Sequence, residues 1–177
     1  MAEPTATSNF HLNYDPEEDR LLVSVDLPDG KEYAMAMTRR LAKLLVGALA
    51  DMHASRRAKA LGSHQQMRDT VLSFEHERAV AEGFSSGGTR SNLPKKPLFA
   101  PPRLVREVKL TPRDDGGTTM VLDDKARALT FDLNQPRLHS FMAGVLDLAA
   151  HAHWDLPVIA AWLERADAGD AAPKVVH

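Results

Sequence analysis

The chain predicts an α+β fold of two pseudo-repeated β-β-β-α units, each an antiparallel meander covered by a helix, with an extra central helix. Three observations carry this reading. Residues 10–37 and 105–133 each hold three short runs of alternating apolar and polar residues, separated by turn sequences. An apolar stripe with helical spacing follows each trio. The second set repeats the first after 96 or 97 residues.

In order along the chain, residues 1–9 read as a flexible polar tail and 10–60 as the first unit. Phe10 to Tyr14 alternates as a half-buried strand should. Pro16 presets the turn that follows, and Leu21, Val23, Val25 and Leu27 share one face of the next strand. Pro28-Asp29-Gly30 is a hairpin signal, because Gly30 reaches positive φ without steric cost. Tyr33, Met35 and Met37 mark the third strand. Short links of this kind require antiparallel pairing. Thr38 then caps a helix with its stripe at Leu41, Leu44, Leu45, Ala48, Leu49 and Met52, expected to fray in the basic run 53–59.

Residues 63–83 read as a connecting helix with a narrow stripe at Met67, Val71, Phe74 and Ala81. Residues 84–102 are a Gly/Ser/Pro-rich linker ending in a tract that favours extended polyproline conformation. The second unit, with a short C-terminal helix, spans 103–168, and 169–177 is a second flexible tail. In it, strands at 105–110, 118–122 and 126–133 lead to Asn134, which caps a helix beginning near Pro136. That helix carries Leu138, Phe141, Met142, Val145, Leu146 and Ala149, each 97 residues after a position of the first stripe. Leu129, Phe131 and Leu133 follow Tyr33, Met35 and Met37 by 96.

Composition narrows the function classes. With 44% hydrophobic and 26% charged residues, the 177-residue chain has the make-up of a globular domain. It has no cysteine, which removes disulfides, zinc-thiolate sites, iron–sulfur clusters and a cysteine nucleophile. Its start lacks the basic and apolar regions of a signal peptide, and no stretch suits a membrane span, so a cytoplasmic location is expected. The net charge of −2 is unevenly placed: 1–37 carries −6, 38–113 carries +9 and 114–177 carries −5.

The candidate sites for an anion or a partner lie in the basic middle. Arg39 and Arg40 follow the cap Thr38, where positive charge opposes the helix dipole and an anion would be welcome. Arg56 and Arg57 form a basic pair late in the same helix. Lys95 and Lys96 precede Leu98 and Phe99, two apolar anchors in an otherwise polar, basic or proline-rich tract.

One short pattern bears on metal chemistry. His151-Ala-His153-Trp154-Asp155 resembles the H-x-H-x-D core of the metallo-β-lactamase superfamily, which would make His151, His153 and Asp155 ligands of zinc or iron. The resemblance covers five residues. That family continues with a histidine where this chain has Leu156, and its pattern lies in a loop after a strand rather than at the end of a helix. The chain is therefore expected to hold no metal and no cofactor, with no catalytic residue assigned.

These observations lead to one expectation: a non-enzymatic accessory or adaptor protein that binds another protein or a second copy of itself. The alternative is a regulator that binds nucleic acid through residues 39–113. Repeated strand–helix layouts such as the Whirly and PUR modules are similar in plan, but Phe10, Tyr14, Tyr33 and Phe131 alternate in phase with the core rather than standing out as stacking platforms. An enzyme of unknown type is the third reading. No membrane partner is expected.

Overall fold

Turn chemistry decides the order of pairing. The computed structural model describes residues 6–7, 10–61, 71–72, 74–79, 81 and 98–156. They form β1 (Ala6–Thr7), β2 (His11–Asp15), β3 (Arg20–Asp26), β4 (Glu32–Met37), α1 (Arg39–Leu61), β5 (Arg103–Leu104), β6 (Glu107–Pro112), β7 (Thr118–Asp123), β8 (Ala128–Leu133) and α2 (Gln135–His151). Gly30 and Gly116 both adopt positive φ in the hairpin turns, as a residue without a Cβ can. The linker residues 84–97 and the helix expected after Asp155 lie outside the described residues.

The fold is α+β with two sheets. One runs β2-β3-β4-β5 and the other β1-β8-β7-β6. In each, three strands pair antiparallel, as their short links require. The fourth strand of each sheet comes from elsewhere in the chain and pairs parallel. β1 pairs with β8 through Ala6–Thr130 and Thr7–Phe131, although residues 1–9 read as a tail. β5 pairs with β4 through Met35–Arg103 and Ala36–Leu104. The segment before each meander thus completes the sheet of the other one.

Both helices are capped as expected. Thr38 Oγ1 accepts from the Leu41 amide at 3.2 Å, and Asn134 Oδ1 from the Arg137 amide at 3.1 Å. The inward faces of both sheets and both helices line one hydrophobic cluster. Phe10 belongs to it, edge-on to Phe131 at 6.4 Å and to Phe141 at 5.4 Å. Tyr33 and Phe131 are buried with it, and Tyr14 is half-buried.

Three expectations about helix faces are corrected. Helix α1 does not bury Leu44 or Ala48: Leu44 is 59% exposed, and the buried face is Ala42, Leu45, Val46, Leu49, Ala50 and His53. Small residues let α1 approach β3 and α2 closely, so packing chose a face that a leucine count misses. Nor does α1 fray after His53; it continues to Leu61. In the central helix, Phe74 is 68% exposed and Ala81 is exposed, whereas Leu72, His76 and Ala79 are buried. The i, i+4, i+7 face there is the one with a histidine at its middle.

The rotated face of α1 has a direct test. Leu45→Ala and Met142→Ala, both fully packed, should each lower stability by about 2–5 kcal/mol. Leu44→Ala should stay within about 0.5 kcal/mol, as surface changes do. Urea midpoints of the three variants check this, and a large loss in Leu44→Ala would contradict it.

Candidate functional site

The face of β2-β3-β4 turned away from the core carries polar and small residues. By register, Asn13 lies opposite Leu22, His11 opposite Ser24, Ser24 opposite Ala34, and Asp26 opposite Glu32. Alternate residues share a face, so all of these project to the same side. Ser24 and Ala34 are nevertheless buried. They lie in the floor of a trough of about 380 Å³.

Leu22 and Ala34 give that trough an apolar floor, and Leu98 and Pro102 form one wall. The β2–β3 turn, with Asp15, Pro16 and Glu17, closes the opposite end. Glu32 stands on the trough with Oε2 accepting from Ser24 Oγ at 2.8 Å. Asp15 Oδ1 accepts from the amides of Glu17 and Glu18 and so holds its turn in shape. The lining is apolar below and acidic at the rim. Asn13, Ser24 and Glu32 sit on paired strands, which suits a recognition site, while Glu17 stands on the turn.

The wall is fixed by the chain's own contacts. Leu98 bridges to Glu32, and the Phe99 amide donates to Glu32 O at 2.7 Å. Arg127 lies over the rings of Phe99 and Tyr33 at 5.4 and 5.6 Å, and Lys31 lies over Phe99 at 5.8 Å. Arg103 of β5 pairs with the buried carboxylate of Asp124 in the β7–β8 turn. Burial pushes the Asp124 carboxyl up, but the Arg127 and Ala126 amides and the Arg103 guanidinium outweigh it and hold it below the usual range.

The sequence-predicted residues are only partly brought together. Leu98 reaches the trough wall with 42% of its surface exposed, whereas Phe99, 45% exposed, is not part of the lining and lies under Arg127 and Lys31. Arg39 Nη2 donates to Asp155 O at 2.9 Å, and Arg40 is exposed beside it. Arg56 is used inside the fold: its guanidinium donates to the carbonyls of Gly116, Gly117 and Arg113 at 2.7, 3.0 and 3.1 Å. The side chains of Arg57, Lys95 and Lys96 lie outside the described residues.

His151 closes α2, and His153 lies past the helix end with φ 53°. Both are exposed, as is Asp155. Trp154 between them is buried, donates from Nε1 to Asp19 Oδ1 at 2.6 Å, and meets Tyr14 edge-on at 6.0 Å. Tyr14 also donates to Asp19, at 2.8 Å. The Trp154 and Tyr14 donors hold the Asp19 carboxyl below the usual range. These five residues therefore end a helix and fasten it to the β2–β3 turn. The group of described residues that gathers metal-type donor atoms is another one: His11, Asp26 and Glu32.

Sequence reading also missed a buried histidine cluster. His53 from α1, His76 from the central helix and His139 from α2 meet in the interior. The Nδ1 atoms of His76 and His139 are 2.7 Å apart, so one ring donates and the other accepts. His53 stands edge-on to His139 at 4.5 Å, and its Nε2 lies 3.9 Å from Glu75 Oε2. Burial, with the neighbouring His53, pushes the His76 imidazole down to about 4. The signal was present as a histidine at a buried helical position in each of three helices, but only the packing brings them together.

No family model, no curated protein and no solved structure matches this chain. Among the described residues, no helix is long and apolar enough to cross a membrane.

The histidine cluster makes stability depend on pH. His76 is neutral in the fold down to about pH 4 but takes up a proton near pH 6.5 when unfolded. Between those values the unfolded chain binds more protons, so stability is full above pH 6.5 and falls towards pH 4. The loss is on the order of 3 kcal/mol. Urea unfolding from pH 7.5 to 4 should show it, and His76→Leu should flatten the slope. An unchanged slope in that variant would refute the assignment.

Proposed function

We propose that this chain is a non-enzymatic accessory or adaptor protein of the cytoplasm, whose trough takes an extended, basic segment of a partner protein. The observation that carries this is the trough itself: an apolar floor of Leu22 and Ala34 beside an apolar wall of Leu98 and Pro102, with Asp15, Glu17 and Glu32 around it. An extended segment offers alternate side chains to a floor and its backbone to solvent or an edge, and lysines or arginines complement the carboxylates. The exposed Leu98 adds apolar contact at the wall.

The reading of the chain as two repeats has support of its own. The buried helix positions 42, 45, 46, 49 and 53 recur as 138, 141, 142, 145 and 149. That is one offset of 96, the same that relates Tyr33, Met35 and Met37 to Leu129, Phe131 and Leu133. In this reading the trough belongs to the first repeat alone, since the matching positions of the second replace Glu32 with Ala128 and Ala34 with Thr130.

The nucleic-acid alternative has less support. Of the basic middle, Arg56 is spent on carbonyls, Arg103 pairs with Asp124, and Arg113 pairs with Asp115 and Asp132 at 2.9 and 3.1 Å. Cations already paired within the fold release few counterions from a phosphate backbone.

Selection from a random library of extended ten-residue peptides tests the proposal. Selected sequences should be rich in lysine or arginine next to aliphatic residues. The substitution Leu98→Ser should abolish their binding while the melting temperature stays nearly unchanged, whereas Phe99→Ser, which removes the ring under Arg127 and Lys31, should lower the melting temperature. Acidic winners, or none, would refute it. Late, salt-sensitive elution from heparin or single-stranded DNA would favour the alternative.

A further inference from the structure

Three strands bring an imidazole and two carboxylates to one spot at the border of the trough. His11 on β2 faces Ser24 on β3, and Asp26, two residues further along β3, faces Glu32 on β4. One donor atom from each of His11, Asp26 and Glu32 lies within 4.8 Å of the other two. His11 Nε2 is 3.2 Å from Asp26 Oδ2, is shut off from solvent and makes no hydrogen bond. A covered ring nitrogen facing a carboxylate oxygen in that way is poised for a shared ion. Asp26 and Glu32 stand directly opposite on neighbouring strands, which brings their carboxylates to the same edge of the site.

We propose that His11, Asp26 and Glu32 form a binding site for a divalent transition-metal ion of the zinc or manganese type. One nitrogen with two carboxylate oxygens suits such ions, whereas calcium and magnesium favour all-oxygen sites. Ligands about 2.0–2.2 Å from a tetrahedral ion stand roughly 3.3–3.6 Å from one another, so small side-chain rotations bring the three donors into place. The two carboxylates balance the ion's charge. Ser24 is the positioning residue: its hydroxyl donates to Glu32 Oε2 and leaves the other oxygen to the ion. Three protein ligands leave a coordination position open, and Glu32 and Ser24 also line the trough, so that position lies at its border. The site stands whether or not the trough takes a peptide.

Calorimetric titration of the full chain, stripped with EDTA and supplied with Zn²⁺, Mn²⁺ or Mg²⁺ in separate runs, tests this. One equivalent of Zn²⁺ should bind far more tightly than Mg²⁺ and raise the melting temperature. Asp26→Asn and Glu32→Gln should each weaken it at least about tenfold, and Ser24→Ala by about tenfold. A double His151→Ala, His153→Ala variant should bind as the unaltered chain does. In the unaltered protein, Mn²⁺ should broaden the amide resonances of His11, Ser24 and Glu32 first, a readout that needs no variant to fold. Absence of Zn²⁺ uptake would overturn the proposal. So would affinity unchanged in Asp26→Asn, or broadening centred on residues 151–155.

Discussion

The structure depends on a crossing of the chain at Phe10. The residues just before it, β1, lie on the edge of the second sheet, and those just after it, β2, begin the first. Its ring packs on Phe131 of one sheet and on Phe141 of α2. The reverse crossing occurs at Val105, buried between β5 on the first sheet and β6 on the second. A two-residue parallel strand has too few hydrogen bonds to hold itself, so both depend on the shared core that the crossings create. Neither meander has a core of its own; their inward faces and both helices form one cluster.

The same crossings make the candidate site. β5 and Leu98 extend the first sheet beyond β4, and this added edge is the wall of the trough. Arg103 then fastens β5 to the β7–β8 turn through Asp124, while Arg127 from that turn covers Phe99 and Tyr33. Burial, and the Asp124 carboxylate nearby, push the Tyr33 hydroxyl up and keep it neutral. At the opposite end, Arg56 reaches from α1 to three carbonyls of the β6–β7 turn. Gly117 is required there, since a Cβ would collide with the Leu133 carbonyl oxygen.

Much of this was legible along the chain. Alternation located the six meander strands, because a sheet with one buried face demands period two. Caps at Thr38 and Asn134 located the helix starts. What alternation could not reveal was β1 and β5, since two residues carry no period. The buried face of α1 was misread because Leu44 outranks Ala42 and Val46 in apolarity, while close packing prefers the smaller side chains. The three histidines of the interior went unread for a related reason: each meets its neighbour on another helix, which no single stretch of sequence displays. His11, Asp26 and Glu32 were hidden as the polar members of strands read for their apolar members.

The claim that the two halves are one unit, joined at Phe10, is tested most directly by amide hydrogen exchange on the full chain. The slowest amides of β3, at Leu21 and Val23, and of β7, at Met120 and Leu122, should open with the same free energy. Phe10→Ala should lower both by the same amount. Separate opening energies for the two strands, or a Phe10→Ala variant that loosens β3 and leaves β7 unchanged, would contradict the account.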